Sequence, residues 1–230
     1  MSVPRRAMLL AAGLGERMRP LTLATPKPLL QVGGRALIDW HLTALARAGV
    51  REVVINLSWL GAQIRAHVAD GARFGLQVLY SEEGPVPLEA GGGIFKALPL
   101  LGPEPFLVVN GDIWTDYDFA RCVDVPPDCD GLLVMVPNPA QHARGDFFVA
   151  GQRIVVHDTP VRRTYSGIAV YRPGFFAGSA PGKFPLLPLL QRALNVGRLA
   201  AQLYDGLWFD IGTPQRLQEL DTRLASGANG

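Results

Sequence analysis

From Ala7 to Val32 the chain reads AMLLAAGLGERMRPLTLATPKPLLQV. Gly13 and Gly15 can present backbone N–H groups to an anion at close range. Arg17, Arg19 and Lys27 add three cations to the same loop, and Pro20, Pro26 and Pro28 stiffen it and bar an α-helix directly after the glycines. A polyphosphate suits that combination. Lys27 is one of only three lysines, with Lys96 and Lys183, in a chain that otherwise uses arginine. A compact ammonium suits a position between phosphates better than a planar guanidinium fork. Two aspartates far along the chain supply the complementary chemistry. Asp112 follows an apolar run in Asn110-Gly111-Asp112, and Asp210 precedes Gly212-Thr213-Pro214. Carboxylate oxygens are the ligands Mg2+ takes, commonly one or two of them together with substrate phosphates.

Two familiar phosphate motifs are excluded. Gly13-Leu14-Gly15-Glu16-Arg17-Met18 has the first two glycines of a dinucleotide fingerprint, but Met18 replaces the third. No Gly-Lys-Ser or Gly-Lys-Thr occurs, so a Walker-type loop is absent from the sequence.

These residues need a frame to hold them. Ala7 to Ala12 fits a buried parallel strand. Ala36 to Ala48 puts Leu37, Ile38, His41, Leu42 and Leu45 on one helical stripe ending at Gly49, with His41 expected to be half-buried and hydrogen-bonded. A strand at 53–55, a helix at 60–68 and a strand at 76–80 continue a βαβαβ rhythm. That rhythm implies a parallel sheet whose ligands lie beyond the carboxyl ends of the strands. Gly91 to Gly93 are expected just ahead of a helix through Ile94 and Leu98, leaving backbone open to a flat ring or a ribose. Phe106 to Val109 is a strand that delivers Asp112 to the same edge. Further strands are expected at 131–136, 164–171 and 207–209, a hairpin at 147–150 and 153–156, and a helix at 185–196. A last helix at 214–224 has Thr213 as its cap and Pro214 as its first residue, with residues 225–230 frayed. With no linker or repeat, residues 1–230 form a single α/β domain: a Rossmann-like, mostly parallel mixed sheet flanked by helices.

Leu10-Ala11-Ala12-Gly13-Leu14-Gly15-Glu16-Arg17-Met18-Arg19-Pro20 with Thr25-Pro26-Lys27-Pro28 resembles the signature of the sugar-1-phosphate nucleotidyltransferases. Leu88-Glu89-Ala90-Gly91-Gly92-Gly93, the segment from Asn110 to Phe119 and the short length most resemble the branch that uridylates N-acetylmuramate 1-phosphate. The likeness reaches Trp208-Phe209-Asp210-Ile211-Gly212-Thr213. It implies UTP and N-acetylmuramate 1-phosphate as substrates, a UDP-sugar and pyrophosphate as products, Mg2+ as cofactor, and a place in cell-wall recycling. It also implies a nucleotide-binding half at about 1–112 and a sugar-binding half at about 113–213. Arg17, Lys27 and Asp112 would be catalytic, and Asp112 and Asp210 would hold the metal. Ala11, Ala12, Gly13, Leu14, Gly15, Glu83 and Gly92 would bind nucleotide, with Glu82, Glu83 or a backbone carbonyl accepting from the base. Asn110, Arg144 and Asp146 would face the sugar, with Arg162 and Arg163 as further candidates for a negatively charged one. Larger relatives carry glutamate-lysine-proline and asparagine-glycine where this chain has His157-Asp158-Thr159-Pro160 and Ser166-Gly167.

The composition fits this reading. At 230 residues and 48% apolar, the chain can bury roughly 70–75% of its unfolded surface. Its 22 basic and 20 acidic residues leave a formal charge of +2, too little to argue for nucleic acid or a membrane surface as partner. Cys122 and Cys129 lack metal-site spacing and read as free thiols of a cytoplasmic protein. No apolar run approaches a membrane span, and the first residues lack the apolar core of a signal peptide. A monomer or weak homodimer is expected. The competing readings are a transferase for mannose or glucose 1-phosphate using GTP or dTTP, a non-catalytic nucleotide-sugar sensor, and an NAD-binding oxidoreductase. Met18 and the prolines disfavour the last of these.

Overall fold

The structure is a computed structural model that describes residues 3–122, 125–156 and 162–226. The elements in chain order are β1 (Arg6–Leu10), β2 (Gln31–Val32), β3 (Arg35–Ala36), α1 (Leu37–Arg47), β4 (Glu52–Leu57), α2 (Gly61–Val68), β5 (Gln77–Glu82) and α3 (Glu89–Leu101). They continue with β6 (Phe106–Asn110), β7 (Ile113–Thr115), β8 (Gly131–Val136), β9 (Phe147–Ala150), β10 (Arg153–Val155) and β11 (Arg162–Tyr171). The last are α4 (Leu187–Asn195), β12 (Leu199–Leu203), β13 (Trp208–Asp210) and α5 (Pro214–Ala225).

Nine strands form one mixed sheet in the order β5-β4-β1-β6-β11-β8-β12-β10-β9. The first four run parallel, as their apolar runs and intervening helices require. β11 lies antiparallel between β6 and β8, and its first residues also pair with β9, so the second half of the sheet curls back on itself. Alternation along the strands divides the core in two. Ala7, Leu9, Val53, Ile55, Leu107 and Val109 face one side with Ile38, Leu42 and Ile64, while Met8, Val54, Phe106 and Val108 face the other with Ile94, Ala97 and Leu190. A third cluster joins Met18, Leu37, Trp114, Ile211 and Leu220, tying the glycine loop to α1, β7 and α5.

Several expectations shift when tertiary contacts enter. β1 stops at Leu10 rather than Ala12, because the Ala11 N–H turns to the Asn56 side chain instead of the sheet. Gly91 to Gly93 lie inside α3 rather than ahead of it. α4 starts at Leu187, two residues late, because residues 182–184 pack along α3. The stretch from Glu16 to Leu29 holds three single turns of 3-10 helix and no α-helix. β11 spends four residue steps, Tyr165 to Ala169, against two of β8, and this bulge sets Gly167 against the Asn110 side chain. His157 to Pro160 lie outside the described residues, as do residues 227–230, while Ala225 closes α5. Both cysteines are free and buried, and burial pushes the Cys122 thiol up to about 12. No helix among the described residues is long and apolar enough to cross a membrane.

His41 is buried rather than half-buried, at 3% exposure, and its Nε2 has no hydrogen-bond partner among the described residues. Burial lowers its pKa to about 4, against the opposing pull of a backbone bond at Ile113 and the charge of Asp112. Below about pH 6.5 the unfolded chain takes up a proton at this position and the folded chain does not. Stability therefore falls between pH 6.5 and about 4, by about 3 kcal/mol at most, and this group has no effect above 6.5. Urea midpoints measured across that range should show the fall, and His41→Leu should flatten it.

Candidate active site

The polyphosphate loop is held open by side chains outside it. Ala11 N–H donates to Asn56 Oδ1 at 2.7 Å, and Asn56 Nδ2 donates to Glu83 Oε1 at 2.6 Å. The other carboxylate oxygen of Glu83 accepts from the Leu88 N–H at 2.6 Å. This buried relay links the carboxyl ends of β1, β4 and β5 to the start of α3, so the four segments share one geometry. Buried polar groups without such partners would cost about 1–3 kcal/mol each. Within the loop, Gly15 sits at φ 62° with Thr22 against it, and Thr22 Oγ1 donates to the Gly15 carbonyl at 2.7 Å. Nothing lies within 4 Å of where a Gly13 Cβ would stand, so its backbone is open to a ligand.

Lys27 is flanked by the two prolines, its stem buried at 9% exposure, and Nζ reaches Asp112 Oδ2 at 3.0 Å. Asp112 is carried there by β6. Gly111, just before it, donates its N–H to the Leu10 carbonyl at 2.8 Å, and a Cβ at Gly111 would stand 2.5 Å from that oxygen. Asp210 arrives from the opposite end of the chain. β13 pairs with β7, placing Asp210 opposite Ile113, and Ile211 N–H donates to the Asp112 carbonyl at 2.9 Å. Arg216, on the first turn of α5, donates to Asp210 Oδ2 at 2.6 Å. Thr213 caps that helix with Pro214 as its first residue, the arrangement read from the sequence.

A cleft of about 660 Å³ opens over these groups. Its walls include Ala11, Ala12, Gly13, Leu14, Gly15, Arg17, Lys27, Glu83, Asn110 and Asp112, together with Gly212 beside Asp210. Several expected residues are placed elsewhere. Gly92 donates its N–H to the Phe184 carbonyl at 3.0 Å and is smooth because Gly182 lies against it. Asp146 is spent on the β9–β11 corner, accepting from Tyr165 N–H at 2.8 Å and meeting His142 Nε2 at 2.9 Å. Arg144 is exposed on the adjoining turn and does not line the cleft. Glu82 pairs with Arg65 on the surface. Asn56 was missed by the sequence reading, although a lone polar residue in the buried run of β4 was its signal. Lys183, also on the cleft wall, carried no local signal beyond being a lysine.

Among the described residues no group of three or more histidine, cysteine or carboxylate side chains could hold a metal alone. Two carboxylates, Asp112 just before β7 and Asp210 on the paired β13, one lining and one adjoining a phosphate-sized cleft, do fit a Mg2+ ion that takes its remaining oxygens from substrate. Asp112 and Asp210 are the residues that would hold it.

A pattern for the nucleotidyl transferase family matches residues 6–144. N-acetylmuramate alpha-1-phosphate uridylyltransferase of Neisseria meningitidis serogroup B (strain MC58) is 45% identical over 227 residues, 93% of this chain and 96% of the relative. The Caulobacter vibrioides protein of the same name is 36% identical over 236 residues, 96% of this chain and 98% of the relative. Mannose-1-phosphate guanylyltransferase of Mycobacterium tuberculosis is 37% identical over 118 residues, covering 51% of this chain and 33% of that protein. Among solved structures, HddC of Yersinia pseudotuberculosis complexed with GMP-PN superposes with a TM-score of 0.78 at 21% identity, covering 95% of this chain and 99% of that one. A Bacillus anthracis chain assigned as a glucose-1-phosphate thymidylyltransferase, in complex with a sucrose, gives 0.84 at 19% identity, covering 95% and 94%. The fold and cleft are those of an enzyme that transfers nucleotidyl groups. The chain belongs to the nucleotidyl transferase family.

With Lys27 replaced, the cleft keeps its shape and loses its buried cation. Lys27→Ala should lower pyrophosphate release by about two to three orders of magnitude, comparable with losing one preorganised charge donor at a transition state. Far-ultraviolet circular dichroism should be unchanged, and near-full turnover would remove Lys27 from the chemistry.

Proposed function

We propose that this chain transfers UMP from UTP to N-acetylmuramate α-1-phosphate, yielding UDP-N-acetylmuramate and pyrophosphate, with Mg2+ as cofactor and in the service of cell-wall recycling in the cytoplasm. The observation that carries the chemistry is the convergence of the glycine loop, Lys27 and Asp112 on one cleft, with Asp210 beside Gly212 at its wall. The substrates follow from two relatives of that name, each matched over nearly its whole length.

The attacking phosphate is already largely ionised near neutral pH, so the reaction needs no general base. The difficulty is that two anions must meet in line. Positioning can supply roughly 7–11 kcal/mol of such a barrier, and charge stabilisation supplies much of the rest. The N–H groups around Gly13 and Gly15, with Arg17, hold the β- and γ-phosphates. Lys27 neutralises charge at the α-phosphate, its stem fixed by burial and its ammonium oriented by Asp112. When bound by Asp112 and Asp210, Mg2+ neutralises further phosphate charge and helps to orient the reactants. Asn110, pinned against Gly167, faces the acceptor. Glu83 is committed to Asn56 and Leu88, so its part in the nucleotide site is to shape the wall next to the base.

A second reading, guanylyl transfer to mannose 1-phosphate, draws on the Mycobacterium tuberculosis relative and its match over half of this chain. A panel of UTP, GTP, dTTP and ATP against N-acetylmuramate, mannose and glucose 1-phosphates, scored by pyrophosphate release, separates the two. UTP with N-acetylmuramate 1-phosphate should exceed every other pair by at least tenfold. Preference for GTP with mannose 1-phosphate would overturn the assignment, and binding of UTP without release from any acceptor would favour a sensor.

A further inference from the structure

Among the described residues, three cations line the cleft: Arg17, Lys27 and Lys183. The first two belong to the glycine loop. Lys183 stands on another part of the wall with Val86, Pro87, Glu89 and Ala90, and the phosphate chemistry does not use it. Of the cations that the sequence suggested for an acidic sugar, Arg144 is exposed and off the cleft, and the other two are engaged elsewhere. Arg163 pairs with Asp205 at 2.8 Å, while Arg162 donates to the Asp146 carbonyl at 3.2 Å and lies over the Phe148 ring.

The chain invests heavily in the position of Lys183. Phe184 N–H donates to the Leu88 carbonyl at 3.1 Å and accepts from Gly92 N–H at 3.0 Å through its own carbonyl, so residues 182–184 are strapped to the first turn of α3. That approach leaves no space for side chains on α3. A Cβ at Gly91 would stand 2.6 Å from the Phe184 ring, and one at Gly92 would meet the Gly182 carbonyl. Each glycine inside a helix costs about 1 kcal/mol, so Gly91 and Gly92 are the cost of bringing the strap in. The neighbouring Phe184 backbone is fixed by both bonds, while the Lys183 side chain is about half exposed. Among the described residues its ion-pair partner is Glu89 Oε1 at 3.5 Å, and both side chains are about half exposed, which makes that pair weak. Glu89 itself is held at φ 61°, a backbone conformation that side chains rarely adopt. An ammonium has three N–H donors, so Lys183 can take a second carboxylate while keeping Glu89.

We propose that Lys183 binds the carboxylate of an acidic acceptor sugar and thereby sets a preference for acidic over neutral sugar 1-phosphates. This rests on the acceptor reading above, in which the lactyl group of N-acetylmuramate supplies the carboxylate. N-acetylglucosamine 1-phosphate has the same ring without that group and serves as the neutral comparison, as a substrate or, where turnover is slow, as a competitive inhibitor. Lys183→Met should raise KM for N-acetylmuramate 1-phosphate about tenfold and cut the acidic-over-neutral selectivity by the same factor, while KM for UTP stays within about twofold. Lys183→Arg, which keeps the charge, should restore most of the selectivity. Equal losses with both acceptors, a rise in KM confined to UTP, or no change at all would overturn the assignment. Failure of the unaltered enzyme to use N-acetylmuramate 1-phosphate would instead sink the acceptor reading itself.

Discussion

The ammonium of Lys27 and the carboxylate of Asp112 meet at 3.0 Å at the floor of the cleft. Neither group would sit there without the rest of the fold. The lysine is delivered by a loop pinned through Met18 to α1, β7 and α5, and the aspartate by the central strand β6. A buried cation and a half-exposed anion so placed stabilise the fold only modestly, since much of their attraction offsets desolvation. Their value is in preorganisation. Charges already oriented in a partly dry site need not reorganise as negative charge redistributes on a phosphate.

The rest of the site extends that logic. The Ala11, Asn56, Glu83 and Leu88 relay sets the loop against the ends of three parallel strands using hydrogen bonds that are largely buried. The β7–β13 ribbon brings Asp210 beside Asp112 although about a hundred residues separate them in sequence. Arg216 holds Asp210 from the first turn of a helix whose start is fixed by Thr213 and Pro214. Asp210 is thus oriented by Arg216, and the Lys27 ammonium by Asp112.

Much of this was legible in the sequence where local chemistry and backbone punctuation coincide. Gly13, Gly15, Lys27, Asp112 and Asp210 sit among glycines and prolines that dictate turns; the structure brings the first four to one cleft and sets Asp210 beside Gly212 on its wall. The parallel half of the sheet followed from alternating apolar runs and helices. What stayed hidden depends on partners remote in sequence. Gly91 to Gly93 read as an opening for a ligand, whereas Phe184 and Gly182, some ninety residues on, account for the first two. Glu83 and the missed Asn56 account for Gly93. Arg144 and Asp146 looked suited to a sugar, but the β9–β11 corner uses the aspartate for its own backbone and leaves the arginine to solvent. The insertion of β11 between β6 and β8, and the bulge that sets Gly167 against Asn110, are long-range pairings that no local pattern encodes.

The proposed chemistry requires the glycine-loop lysine and the two carboxylates to act on a single bound triphosphate. Lys27 and Asp210 have different ion-pair partners, Asp112 and Arg216, so a shared substrate is the route by which they would couple. A double-mutant cycle on pyrophosphate release, using Lys27→Ala, Asp210→Asn and the pair, measures that coupling directly. A shared substrate should give strong non-additivity, with the double variant slowed little beyond the worse single one, as for groups that act as a unit. Losses that simply multiply would show that the two residues act independently, and would contradict the proposed chemistry.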